Sequence, residues 1–160
     1  MKKLKLYLDT SVIGYLDEKS SPKEMSDTLI LWQKIKAGIF DVIISRITLD
    51  EINNIKDKDK INTLLSYLSE ITFETIEFND EVLRIAELVK DSGLLISDKH
   101  RNDRLHIGFA IVCGANVLAS MNFRHLTNIR TIEGVRKITI SEGYGYIEIM
   151  PPVMLIEGVE

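Results

Sequence analysis

Short apolar runs alternating with longer amphipathic stretches predict an α/β fold, with a mainly parallel sheet covered by helices on both faces. Two observations carry this. "LKLYL" (4–8) and "FDVIIS" (40–45) read as buried strands, and the stretches between such runs repeat apolar residues at helical spacing between Pro and Gly boundaries. The chain has 160 residues, enough for one sizeable core but not two, with no internal repeat and no linker, so residues 1–160 are expected to form a single domain.

The elements follow in order. After strand 4–8 comes a helical segment around 11–17, then the loop "SSPKEMSD", with Pro22 at a helix start. "TLILWQKIKAG" continues as a helix that Gly38 stops, with Trp32 and its Leu and Ile neighbours as core. Strand 40–45 leads into a short helix, "RITLDEINNI", and then "KDKDKINTLLSYLSEI", a solvated charged head on a helix with periodic leucines. "FETIEF" (73–78) alternates like a strand, and "NDEVLRIAELVKDSG" has its helix cap in Asn79 or Asp80 and its end near Gly93. "DRLHIGFAIVCG" reads as a further helix and "ANVLAS" as a strand. "RKITISEGYGYIEIMPP" reads as one or two short strands around a glycine turn, giving a C-terminal strand region within 137–156 that Pro151 and Pro152 close.

Composition narrows the class. Hydrophobic residues make up 45% of the chain and charged residues 28%, ordinary proportions for a folded protein. The formal net charge of -4 excludes nucleic-acid binding by bulk electrostatics, which needs many cations against phosphates. It leaves room for an enzyme acting on a polyanion, because acids that converge on a divalent cation reverse the local sign. The single cysteine, Cys113, cannot form an intrachain disulfide and sits among apolar residues, which suits an inert buried thiol and a reducing compartment. Asp9 interrupts the N-terminal apolar run before a signal core or membrane span could form, so a cytoplasmic protein without membrane contact is expected.

Where the acids fall is more telling than how many there are. Asp9 follows the first strand, Glu51 follows the second, Asp103 opens the helix "NDRLHIGFA", and Asn122 follows strand 117–120. Ligands of open parallel sheets bind outside the carboxyl ends of the strands, so these positions could share one edge. Clustered carboxylates repel one another unless a cation joins them, and hard cations such as Mg²⁺ or Mn²⁺ prefer such oxygens. A cation so held suits phosphodiester hydrolysis. Each acid also has a structural reading: Asp9 and Asp103 as helix caps, and Asp50 and Glu51 as first-turn acids complementing a helix dipole. Thr10 and Ser11 could support Asp9 or cap a helix. In "KHRNDRLH", Lys99, His100, Arg101, Arg104 and His106 surround Asp103, mostly as solvated surface. No zinc spacing and no glycine-rich phosphate loop appears.

Together, "LYLDTSVI", "ISRITLDEI", "NDRLHIGFAIVCGANVLAS" and "MNFRHL" resemble the PIN domain, and in particular the VapC-like toxin nucleases of toxin-antitoxin pairs, over residues 4–126. The resemblance implies a three-layer α/β/α sandwich with a central, mainly parallel sheet, and an acidic pocket that binds Mg²⁺ or Mn²⁺ to hydrolyse RNA. It places Asp9, Glu51 and Asp103 as metal ligands, with Asn122 at the fourth position of the pocket. Thr10, Ser11 and Ser120 would support these groups, and Arg104, Arg124 and His125 are candidates for RNA contacts. A cognate antitoxin and a homodimer are implied as well. The chain departs from the family where an acid usually stands and Asn122 is found: the amide lacks the charge but keeps a carbonyl oxygen able to reach a metal or its water. Asp98 could supply further charge. A PIN-like module that binds RNA or a protein without cutting is the alternative. A covalent phosphatase expects a second acid two residues after Asp9, where Ser11 stands.

Overall fold

A computed structural model of the chain describes residues 2–157. Five strands form one wholly parallel sheet: β1 (Leu4–Leu8), β2 (Phe40–Ser45), β3 (Glu74–Ile76), β4 (Val117–Ala119) and β5 (Glu148–Met150), in spatial order β3-β2-β1-β4-β5. The helices between them are α1 (Thr10–Gly14), α2 (Pro22–Lys36), α3 (Arg46–Asn53), α4 (Lys58–Ser69), α5 (Asp80–Asp91), α6 (Arg101–Val112), α7 (Ile129–Ser141) and α8 (Pro152–Ile156). Short 3₁₀ turns at Tyr15–Asp17 and Asp98–His100 extend α1 and lead into α6.

Strand alternation divides the core into two layers. Leu6 and Leu8 of β1, with Val42 and Ile44 of β2, pack with Leu31, Trp32, Leu64 and Leu155 on one face. Tyr7 and Ile43 point the other way, among Val82, Ile85, Leu105, Phe109 and Val135 of α5, α6 and α7. This is the expected three-layer α/β/α arrangement. Asn79, rather than Asp80, caps α5, accepting from the Val82 N–H at 2.8 Å.

One expectation fails. The residues read as a strand at 137–141 are the second half of α7, and among residues 137–156 only β5 is a strand. The run "ITI" favours a strand locally, but Thr131, Val135, Ile138 and Thr139 recur at helical spacing and are buried. The side chain of Asn128 caps the helix by accepting from the Thr131 N–H at 2.9 Å. Packing against the sheet outweighs local propensity here.

Helices α5 and α6 approach closely because Gly108 has no side chain. A Cβ there would lie 2.8 Å from the Val82 carbonyl oxygen and 3.4 Å from the Ala86 nitrogen, both backbone atoms that cannot swing aside. Gly108→Ala is therefore expected to destabilise the protein by about 1–3 kcal/mol through overpacking, although alanine gains roughly 1 kcal/mol in helix propensity. Urea denaturation of the variant measures the balance, and an unchanged or raised midpoint would contradict the close approach.

Candidate metal centre

The strand order reverses between β1 and β4, so β1 leads to β2 on one side and β4 to β5 on the other, and the crevice of such a sheet opens at that point. Asp9 follows β1 and Ser120 follows β4, which places both at the crevice. The Asp9 carboxylate is 3% exposed and caps α1, its Oδ1 accepting from the Val12 N–H at 3.1 Å and from the Ser11 hydroxyl at 2.6 Å. Both bonds fall on Oδ1, so capping α1 does not by itself occupy the other carboxylate oxygen. Burial raises the Asp9 pKa, and this outweighs the field of His106, the Ser11 and Ser120 hydroxyls and the Val12 N–H, all of which favour the anion.

The loop after β4 is tied to Asp9 through Ser11. The Ser11 oxygen accepts from the Met121 N–H at 2.9 Å and lies 3.5 Å from the Ser120 oxygen, which in turn accepts from the Asn122 N–H at 2.9 Å. The Asn122 side chain is then fixed from both ends. Its Oδ1 accepts from the His125 N–H at 3.0 Å, and its Nδ2 lies 3.5 Å from Asp103 Oδ1. The amide nitrogen, not the carbonyl oxygen, faces the neighbouring acid.

Glu51 reaches the same crevice from α3. Its Oε1 accepts from the Thr10 hydroxyl at 2.7 Å and from His106 Nε2 at 2.6 Å, while Oε2 has only a 3.4 Å contact from Asn102 Nδ2. Burial alone would raise its pKa, but hydrogen bonds and charge from His106, with Thr10 and Asn102, hold it below the ordinary carboxylate range. Asp103, in the first turn of α6, has the 3.5 Å contact from Asn122 and another at 3.4 Å from His100 Nδ1, both long for a hydrogen bond.

Arg104 is not a surface cation awaiting RNA. It is 5% exposed and donates to the Leu95 carbonyl and, at 2.9 Å, to that of Ser97. Its position faces inward on α6, where Nη1 staples the 95–97 loop through two carbonyls, and Leu95 of that loop holds a positive φ of 50°. Arg124 is exposed, and half-buried His125 lies against His100 with ring centroids 4.1 Å apart. Burial, and next the charge of His100, lower the His125 pKa. Asp98 lies exposed in the 3₁₀ turn before α6. From the sequence, His106 is one of several polar residues near Asp103. In the fold it is 3% exposed and bonded to Glu51, and the signal for it is its spacing of three from Asp103, which sets both on one face of α6.

The donors suit a hard cation in kind: Asp9, Glu51 and Asp103 offer carboxylate oxygens, and bonds on Asp9 and Glu51 concentrate on one oxygen each. Among the described residues, no three His, Cys, Asp or Glu side chains come together as a ready metal cage. Mg²⁺ does not need one, since it keeps several waters and binds through one or two carboxylates.

The parallel sheet and its flanking helices give a three-layer α/β/α sandwich with a PIN-like fold. No protein-family model matches the chain, and no curated protein does. Among solved structures, the chain is similar over 92% of its length, at 20% identity and a TM-score of 0.57, to a chain of VapBC2 from Rickettsia felis bound to a DNA fragment from their promoter, of which 98% is covered. It is also similar over 93% of its length, at 14% identity and a TM-score of 0.51, to a chain of DNA-bound VapBC from Salmonella typhimurium, again with 98% covered. At these identities the shared property is the fold. Among the described residues, no helix is long and apolar enough to cross a membrane.

Proposed function

We propose that this chain is a metal-dependent endoribonuclease that hydrolyses RNA phosphodiester bonds, and that it is the toxin of a type II toxin-antitoxin pair. The observation that carries the reading is the set Asp9, Glu51 and Asp103 around the switch point of a PIN-like sheet. Asp9 and Asp103, with Oε2 of Glu51, would hold Mg²⁺ or Mn²⁺. When bound, the cation would supply charge against the phosphate and lower the pKa of water toward neutrality. The chain's own groups do the rest. Ser11 and Ser120 fix Asp9, Thr10 fixes Glu51, and Asn122 restrains Asp103 without adding charge. Exposed Arg124 and half-buried His125 at the rim would receive the RNA backbone, Arg124 as a cation and His125 as a hydrogen-bonding partner.

The two structures compared above are VapBC complexes, which supports a cognate antitoxin as the partner of this chain; the family resemblance of the sequence adds a homodimer to the proposal, and the interrupted N-terminal apolar run a cytoplasmic location. Asn122 favours a second reading, a PIN-like module that binds RNA or a protein partner without cleaving. One assay separates them: the purified chain with mixed RNA and Mn²⁺ or Mg²⁺. Cleavage is expected that EDTA stops and Asp103→Asn abolishes. RNA binding without any metal-dependent cleavage would leave the binding module standing instead.

A further inference from the structure

A thread of polar groups crosses the layer between the sheet and α6, and the metal site described above does not account for it. Ser45, Tyr7 and His106 are 0%, 0% and 3% exposed, within a core layer otherwise built of Ile, Val, Leu and Phe. The Ser45 oxygen lies 2.7 Å from the Tyr7 hydroxyl, which lies 2.7 Å from His106 Nδ1, and His106 Nε2 lies 2.6 Å from Glu51 Oε1. Tyr7 and His106 also meet edge to face, with centroids 5.8 Å apart.

A carboxylate only accepts, so His106 Nε2 carries the hydrogen donated to Glu51. The Tyr7 hydroxyl pairs with His106 Nδ1 on one side and with the Ser45 hydroxyl on the other, and the Ser45 oxygen also takes the Thr48 N–H at 3.3 Å. Each buried polar group is thereby satisfied, as burial requires. Three apolar side chains would pack this layer without the desolvation cost of a phenol, an imidazole and a hydroxyl. What the polar version adds lies at its end, where the 29%-exposed Glu51 side chain turns toward the crevice. His106 and Thr10 together occupy Oε1 and leave Oε2 with a single long contact.

Building on the nuclease reading, we propose that His106, fixed in ring orientation by Tyr7 and Ser45, is a positioning residue that clamps Oε1 of Glu51 so that Oε2 faces the cation. Such outer partners of a ligating carboxylate set its orientation and basicity. Neither His106 nor Tyr7 touches substrate or metal in this assignment.

The test is a calorimetric Mn²⁺ titration of the wild type and of His106→Leu, His106→Gln, Tyr7→Phe, Glu51→Gln and the double variant His106→Leu/Glu51→Gln, with melting temperatures in EDTA alongside. Removing the clamp is expected to weaken Mn²⁺ binding by about tenfold or more in His106→Leu. His106→Gln, which keeps an N–H donor at the end of the side chain, should recover much of that loss. Tyr7→Phe should weaken binding and also melt below the wild type, since His106 Nδ1 and the Ser45 hydroxyl lose a buried partner; its Mn²⁺ affinity carries the test if His106→Leu does not fold. The double variant should bind no more weakly than Glu51→Gln alone, because the clamp acts only through that carboxylate. A lower melting temperature with unchanged Mn²⁺ affinity in His106→Leu and Tyr7→Phe would make the thread purely structural and overturn this inference alone. A wild type that binds no Mn²⁺ would overturn the metal-dependent reading and this inference with it.

Discussion

Asp9→Asn is expected to slow RNA cleavage by a factor on the order of a hundred or more, since a bound cation contributes several kcal/mol of charge stabilisation and each ~1.4 kcal/mol is a factor of ten. The same variant should be at least as stable as the wild type in EDTA at neutral pH. Asn caps a helix about as well as Asp, and its carbonyl oxygen can still accept from Ser11 and Val12, so the start of α1 survives. What disappears is a charge held in a buried place. The folded-state pKa of Asp9 is raised above its ordinary value of 3.8. Such a group contributes stability that is full below the unfolded pKa and is lost as pH rises through the folded one. The wild type gives up this contribution as pH rises from about 4 through the raised folded-state value, and the variant, which cannot ionise, does not. Urea midpoints in EDTA across that range, set beside cleavage rates in saturating Mn²⁺, measure both halves. A variant that loses stability but keeps its activity would reduce Asp9 to a helix cap.

Gaining stability while losing activity is what a site built against the fold's own preferences should show, and it explains which parts of this protein are legible in its sequence. Strands β1, β2 and β4 are visible because each is a short apolar run at the centre of a doubly covered sheet, where burial on both faces leaves a plain mark. The acids that end β1 or follow β2 are visible for the converse reason: a buried strand has no cause of its own to stop at a charge. Helix α7 is misread because its β-branched "ITI" is decided by packing and by the Asn128 cap, not by local propensity. Arg104 and His106 look like their solvated neighbours in "KHRNDRLH", since residue type does not report which side of a helix faces inward. Only the register of α6 against β1 and the 95–97 loop separates the buried pair from exposed Lys99 and Arg101.

The same logic makes position 122 the sharpest probe of the pocket. Asn122→Asp is expected to destabilise the metal-free protein and to increase the stabilisation that Mn²⁺ gives it. The new carboxylate can keep the bond from the His125 N–H, and the turn after β4 is held as well by the Leu126 and Thr127 N–H groups on the backbone carbonyl of residue 122, at 2.9 and 3.0 Å. The fold of the loop should therefore persist. The other side-chain oxygen would replace the amide nitrogen that now lies 3.5 Å from Asp103, turning a weak attraction into a repulsion between like charges. A shift of one to two pKa units between such neighbours corresponds to about 1–3 kcal/mol. In EDTA the variant should be less stable than the wild type by about that free energy, and melt below it. Mn²⁺ removes the repulsion and gains a ligand, so the melting temperature should rise further with metal in the variant than in the wild type, because a ligand at free concentration c stabilises by RT ln(1 + c/Kd) and a lower Kd raises that term. Thermal melts with and without Mn²⁺ for the two proteins decide it. Equal rises in both, with no loss in EDTA, would mean that residue 122 does not face the cation and that Asp9, Glu51 and Asp103 hold it without a fourth corner.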